Sequence, residues 1–262
     1  MIVSLANLHV KHIRSLAADR KDRRRERLFV LEGVRAALDA LSHGLECTLM
    51  LYAPDQLVAT ADGQRLLGML EHMPVAHPAT AAVVAAACDT VQPQGVVMLA
   101  RWPLIEPGTP GIILVVEATQ DPGNLGTLLR SAEAVGVAEV LCTTGTVDVY
   151  SPKVVRSAMG AHLRLAIEQD LSWEAVAERL HRVDHVYAAD ARATMPYYAV
   201  DWRQPTALIL GNEAHGLSDN AHKNATAQIG IPMQGGAESL NVGVAGSIIL
   251  FEGLRQRTRG RA

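Results

Sequence analysis

Short apolar runs alternate along this chain with longer stretches in which apolar positions recur every three or four residues. That is the pattern of strands interleaved with amphipathic helices. A basic helix is predicted over 9–27, leading into the apolar run LFVLEG (28–33) and a helix VRAALDALSHG (34–44) closed by Gly44 as a C-terminal cap. CTLMLYA (47–53) reads as a buried strand, and short strands and helices keep alternating as far as GVVMLA (95–100). Residues 1–100 are therefore expected to form a small α/β sandwich. RWPLIEPGTPG (101–111) then places three prolines and two glycines in eleven residues, a linker by composition. Past it, IILVVE (112–117) is the continuous apolar run of a parallel strand covered on both faces. Helices are predicted over 124–135, 152–159, 172–182 and 218–224, with strands at 139–143, 185–190, 206–211 and 228–232. A long helix closes the chain, with Leu240, Val244, Ile248 and Phe251 on one face. The second region, 112–262, thus reads as a parallel sheet with helices on both sides.

Composition narrows the function. With 262 residues and 49% hydrophobic content the chain can bury a substantial core. Aromatic residues at 4% argue against binding single strands by rows of stacked rings. Net charge is only −3, yet residues 11–27 hold eight of the 24 Lys and Arg against three acids. Two readings are open for that stretch: a solvated helix face, or a phosphate-contacting patch that includes Arg23, Arg24, Arg25 and Arg27. Cys47, Cys88 and Cys142 are far apart and form no CxxC, which fits a reducing compartment without disulfides. Ten histidines show no metal-ligand spacing, and no apolar run approaches ~20 residues. The expectation is a cytoplasmic protein with no resident metal and no membrane span.

Three polar, glycine-rich loops follow three apolar strands: ATQDPGNLGTLLR (118–130), GNEAHGLS (211–218) and PMQGGAESLN (232–241). Ligands of open α/β sheets bind outside the carboxyl ends of the strands, so three such loops at one sheet edge would converge on one site. The first loop lacks the GxGxxG of a dinucleotide fold, which counts against a nucleotide-dependent oxidoreductase. Asn124 is placed to cap the following helix, and Arg130 falls off that helix's apolar stripe of Leu125, Leu128, Leu129 and Ala132. By spacing alone Arg130 is a surface arginine or a functional one. Glu213 is a ligand contact or a cap of its turn, and Glu238, Ser239 and Asn241 are helix-capping residues or one wall of a site.

In this order the loops resemble the three motifs of the SpoU (TrmH-type) branch of the SPOUT RNA methyltransferases. DPGNLGTLLRSAEAVG resembles the first, with Asn124, Gly126 and Arg130 at matching positions. LILGNEAHGLS resembles the second, at Gly211, Glu213, Gly216 and Leu217, and IPMQGGAESLNVGVA the third, at Ile231 to Met233, Glu238 to Val242 and Ala245. SPKVVRSAMGA (151–161) resembles the segment between the first two, with Arg156, Ser157 and Gly160. RRRERLFVLEGVR and QPQGVVMLA resemble the family's N-terminal substrate-binding domain. Gly243 and Gly246 depart from the family pattern, which has polar or alanine residues there.

The resemblance implies a fold and a chemistry. The fold is a C-terminal parallel-sheet SPOUT domain (112–262) with a deep trefoil knot, an exception to the rule that chains do not thread. It is joined by the linker 101–111 to a small ribosomal-protein-like α/β domain (1–100). The cofactor implied is S-adenosylmethionine, held by Leu210, Gly211, Asn212, Gly216, Ile231, Met233 and Leu240. The reaction implied is methylation of a ribose 2′-hydroxyl in RNA, with ribosomal RNA the first expectation and transfer RNA the second. Arg130 stands at the reacting hydroxyl, with Asn124, Glu213, Ser239 and Asn241 as further catalytic residues. Arg23, Arg24, Arg25, Arg27 and Arg156 contact RNA, and the family implies a homodimer through the catalytic domain. A non-catalytic RNA-binding protein that kept the fold is the rival reading.

Overall fold

The computed structural model describes residues 1–109 and 111–259. Pro110 of the expected linker and residues 260–262 of the expected C-terminal domain lie outside the described residues. The first elements are α1 (Leu8–Ala18), α2 (Arg20–Glu26), β1 (Leu28–Glu32), α3 (Val34–Ser42), β2 (Cys47–Tyr52), α4 (Pro54–Leu57), α5 (Ala61–Leu70), β3 (Ala76–Pro78), α6 (Ala81–Ala87) and β4 (Val96–Arg101). Then follow β5 (Ile112–Val116), α7 (Pro122–Val135), β6 (Glu139–Thr143), α8 (Pro152–Ala158), β7 (Ile167–Leu171), α9 (Trp173–Leu180), β8 (His185–Ala189), β9 (Thr206–Leu210), α10 (Asp219–Asn224), β10 (Ala227–Ile229) and α11 (Val242–Arg259).

The chain packs as two units. One comprises Met1–Pro103 and Tyr150–Leu163, the other Leu104–Val149 and Arg164–Ala262. In the first, a sheet of order β1-β4-β2-β3 pairs β4 antiparallel with β1 and β2, and β2 parallel with β3. Val10, Ile13 and Leu16 bring α1 onto this sheet's core. The segment from Tyr150 to Leu163 belongs here by its packing: the Tyr150 ring lies 4.3 Å from Trp102 and 5.2 Å from Phe29, centroid to centroid.

The basic stretch forms two helices rather than the single one predicted. Asp19 is extended (φ −108°, ψ 119°), and its carboxylate accepts from the Lys21 amide to cap α2. Arg23 is buried at 4% exposure, and its guanidinium donates to the carbonyls of Leu16 (2.6 Å) and Ala17 (3.0 Å), closing the end of α1. Asp19 and Arg23 thus turn the chain between two helices that share one run of charge.

The second unit holds a wholly parallel six-stranded sheet, order β10-β8-β9-β5-β6-β7. Alternate residues of its central strands serve opposite faces: Ile113 and Val115 meet Val176, Leu180 and Ala221 from α9 and α10. The edge strand β7 is not predicted by the sequence pattern, because IEQDL offers only two apolar positions in five.

The closing helix departs from expectation in its facing. Val244 and Phe251 are exposed at 46% and 49%, whereas Gly243, Gly246 and Gly253 are buried. A Cβ on Gly246 would lie 2.4 Å from Leu128 of α7 and 2.5 Å from Leu210 of β9, and one on Gly253 would lie 2.6 Å from Ile112. Gly246, one of the two glycines that depart from the family pattern, and Gly253 let α11 lie close against α7 and the sheet.

Candidate active site

At the carboxyl ends of β8, β9 and β10 the second unit opens a cleft of ≈ 560 Å³. It lies beside β5, where the strand order reverses, as the rule for open α/β sheets requires. Leu210, Gly211, Asn212, Gly216, Ile231, Met233 and Leu240 all line it, as do Asn124, Glu213, Ser239 and Asn241. The three loops therefore meet at one place.

A chain of side-chain hydrogen bonds ties the three loops together. Glu213 accepts from the backbone amides of Gln120 (3.2 Å) and Asp121 (3.4 Å) and from the side-chain amide of Asn124 (3.0 Å). The Asn124 carbonyl oxygen accepts from Asn241 Nδ2 at 2.7 Å. The Asn241 carbonyl oxygen accepts in turn from the amides of Gly243 (2.9 Å) and Val244 (3.2 Å), which caps α11. Asp121, not Asn124, caps α7: its carboxylate takes the Asn124 amide at 2.8 Å. Asn124 sits one turn too far in to cap, and its side chain is left for Glu213 and Asn241. The Glu213 carboxylate at the start of α7 also suits the positive end of that helix's dipole.

The second loop is a tight hairpin. Asn212 and Gly216 exchange backbone hydrogen bonds at 2.9 Å, and Gly216 has φ +70°. A Cβ on Gly211 would lie 2.5 Å from the Gly216 carbonyl, so both positions need glycine. Asn212 folds this loop with its side chain, donating to the Ala118 carbonyl (2.6 Å) and accepting from the amides of Ala214 and His215. What Asn212 presents to the cleft besides is backbone.

Arg130 stands apart from the others. It is exposed, does not line the cleft, and among the described residues its side chain joins no hydrogen bond or ion pair. The arginines assigned to RNA divide. Arg24 and Arg27 are exposed, and Arg25 is exposed while pairing with Asp22 (2.7 Å) and Glu26 (3.0 Å). Arg23 is a buried tie between helices, which corrects its assignment to a phosphate-facing patch. Arg156 pairs with Asp89 at 2.8 Å inside the first unit.

Sequence reasoning missed the fourth wall. Residues 189–192, at and just past the end of β8, also line the cleft. The rule that singled out three strand ends covered this one too, but ADAR carries no glycine to draw attention. Among the described residues no group of three His, Cys, Asp or Glu side chains is arranged to hold a metal ion, and no helix is long and apolar enough to cross a membrane. The three cysteines are free, and burial pushes the thiols up to about 11 at Cys47 and about 12 at Cys88 and Cys142.

Comparison with known proteins agrees with this geometry. Residues 7–98 match the MRM3-like substrate binding domain. An uncharacterized tRNA/rRNA methyltransferase of Synechocystis is 33% identical over 264 residues, covering 98% of this chain and 94% of that protein. The 23S rRNA (guanosine(2553)-2′-O)-methyltransferase RlmP of Bacillus subtilis is 29% identical, over 95% of this chain and 97% of its own. The crystal structure of an AdoMet-bound rRNA methyltransferase from Sinorhizobium meliloti superposes with a TM-score of 0.83 at 28% identity, covering 97% of each chain. Residues 111–251, more than half of the chain and including all three cleft loops, match the SpoU rRNA methylase model, so the protein belongs to the SpoU rRNA methylase family.

Proposed function

We propose that this chain transfers a methyl group from S-adenosylmethionine to the 2′-hydroxyl of a ribose in ribosomal RNA. The observation that carries the reading is the Glu213–Asn124–Asn241 chain at the cleft, which joins all three loops by side-chain hydrogen bonds. The cleft fits the cofactor. Its ≈ 560 Å³ lies within the roughly 300–1,000 Å³ of small-molecule sites. Leu210, Ile231, Leu240 and Ile249 offer apolar surface to a planar base, and Gly211 and Gly216 bring backbone close.

When bound, S-adenosylmethionine supplies a methyl already activated on a sulfonium. The protein's own task is then to align the hydroxyl and provide for its proton. Asn124 and Asn241 hold one another and orient the ribose, with Ser239 beside them. Glu213 fixes Asn124. Arg130 stabilises the developing alkoxide or grips the adjacent phosphate. Residues 1–100 bind the RNA, with Arg24 and Arg27 supplying phosphate contacts, and 112–262 carry the reaction. We further read the deep trefoil knot in the segments that hold the cleft, a homodimer through the outward face of α11, and a cytoplasmic setting. The exposed Val244 and Phe251 support the dimer, and three free cysteines support the setting.

The test is transfer of labelled methyl from S-adenosylmethionine to ribosomal RNA stripped of modification, followed by nucleoside analysis, beside the Arg130→Ala variant. A labelled 2′-O-methylnucleoside that vanishes in the variant is expected. Label on transfer RNA alone would redirect the substrate. Absence of both label and cofactor binding would favour an RNA-binding protein without catalysis.

A further inference from the structure

Glu117 directly follows β5 and precedes the first loop, and only 5% of it is exposed. Its carboxylate accepts from the Trp173 indole N–H (3.0 Å), from the Ser218 amide (3.0 Å) and from the Ser218 hydroxyl, in a short hydrogen bond. No arginine or lysine pairs with it among the described residues. Burying a carboxylate without a cation is costly unless hydrogen bonds replace its water, and here neutral donors do all of that work. The next residue, Ala118, is held in the left-handed region at φ +48°. Its amide donates to Thr143 Oγ1 (3.1 Å) and its carbonyl accepts from Asn212 Nδ2 (2.6 Å). A non-glycine residue held there stores strain that the surroundings must hold in place.

Two adjacent residues therefore grip both ends of the second loop. Ala118 holds its start through Asn212, and Glu117 holds its end through Ser218. Between these anchors lie Glu213, which reaches Asn124, and Gly216, which lines the cleft. We infer that Glu117 is a positioning residue that fixes the 212–218 loop in its cofactor-receiving shape by clamping Ser218. The inference rests on the function proposed above.

The variants are Glu117→Gln, Ser218→Ala, their combination, and Ser218→Thr. Each is measured for S-adenosylmethionine affinity by calorimetry, for ribosomal RNA affinity by filter binding, and for amide hydrogen exchange without ligand. Glu117→Gln keeps the shape but sets an NH₂ against donors. It is expected to weaken S-adenosylmethionine binding about tenfold or more, the order for losing a charge-assisted bond. Exchange should rise across 212–218 while the central strands stay protected, and RNA affinity should not move. Ser218→Ala should do the same more weakly, the double variant should be no worse than Glu117→Gln, and Ser218→Thr should bind as the unaltered protein does.

A folded Glu117→Gln with unchanged cofactor affinity overturns the inference. So does faster exchange throughout the unit, which would make Glu117 a general support. If Glu117→Gln fails to fold, unchanged affinity in Ser218→Ala overturns it equally. Failure of the unaltered protein to bind S-adenosylmethionine would instead overturn the proposed function itself.

Discussion

A single side-chain amide decides how much of the site is assembled. Asn124 gives its N–H to Glu213 and its carbonyl to Asn241, so truncating it leaves two polar partners unmatched in two different loops. Asn124→Ala is expected to lower kcat about a hundredfold, with kcat/KM for RNA falling in parallel, as measured by steady-state methyl transfer. Among the basic residues, burial separates two outcomes. Arg23→Ala removes the donor to two carbonyls at the end of α1 and should cost about 1–3 kcal/mol of stability in a denaturant titration. Arg24→Ala and Arg27→Ala should leave stability nearly unchanged and weaken RNA binding, each reducing the salt slope by about one if it meets a phosphate. The sequence showed eight positive charges in one stretch and could not separate these roles. That separation depends on the break at Asp19, a single extended residue that sends Arg23 inward.

At the scale of elements, α11 shows why helical periodicity misled. The stripe of Leu240, Val244, Ile248 and Phe251 looks like a buried face by hydrophobicity, yet the packed face is the glycine one, because close approach to α7 requires the absence of a side chain. Gly246→Ala should displace Leu128 and Leu210, cost about 1–3 kcal/mol, and weaken cofactor binding because Leu210 lines the cleft. Thermal unfolding and calorimetry on the same variant would show both effects. Strand β7 was missed for a related reason: an edge strand needs little apolar content, so its pattern fades. The three cleft loops were legible because glycine, asparagine and acid clustered directly after strong apolar runs.

Helix α1 carries a pH response. His9 stacks on His77 of β3, with centroids 4.8 Å apart, and burial, then His77 and His12, hold its imidazole below the ordinary 6.5. The unfolded chain takes up this proton more readily than the folded one. The contribution is therefore complete above about pH 6.5 and is lost as pH falls below it. Hydrogen bonds from Ser15 to Asp22 and from His12 to Glu26 hold those carboxylates below 3.8 and 4.5, so their contributions persist until more acid conditions. The Tm of the full chain should thus decline in two stages, first below pH 6.5 and again below about 4.5. His77→Phe removes the charge effect of His77 and keeps the burial, so it should reduce the first stage without abolishing it and leave the second unchanged.

For the whole molecule, the exposed face of α11 bears on association. Val244 and Phe251 leave an apolar strip on the outside of α11 in the unit that holds the cleft. If two copies meet there, Val244→Ser with Phe251→Ser should shift the mass seen by light scattering from two chains to one and leave the unfolding of each chain little changed. The parallel sheet and the alternation that produces it were readable from residue 112 onward. The affiliation of residues 150–163 with the first unit was not, because it rests on Tyr150 meeting Phe29 and Trp102 from more than forty residues away.

That excursion makes the backbone pass from one unit to the other three times, at 103/104, 149/150 and 163/164. A protease that nicks the exposed stretch around Leu104 would cut the covalent link to residues 1–103 without releasing them, since Tyr150 on the other fragment still packs against Phe29 and Trp102. Gene splicing meets the same obstacle. A recombinant grafted at the linker would inherit Tyr150 without Phe29 and Trp102, so exchanging the substrate-binding half for another means transplanting two pieces of chain at once. Drift in RNA specificity would then proceed by point substitution within the inherited half more readily than by shuffling whole halves between relatives.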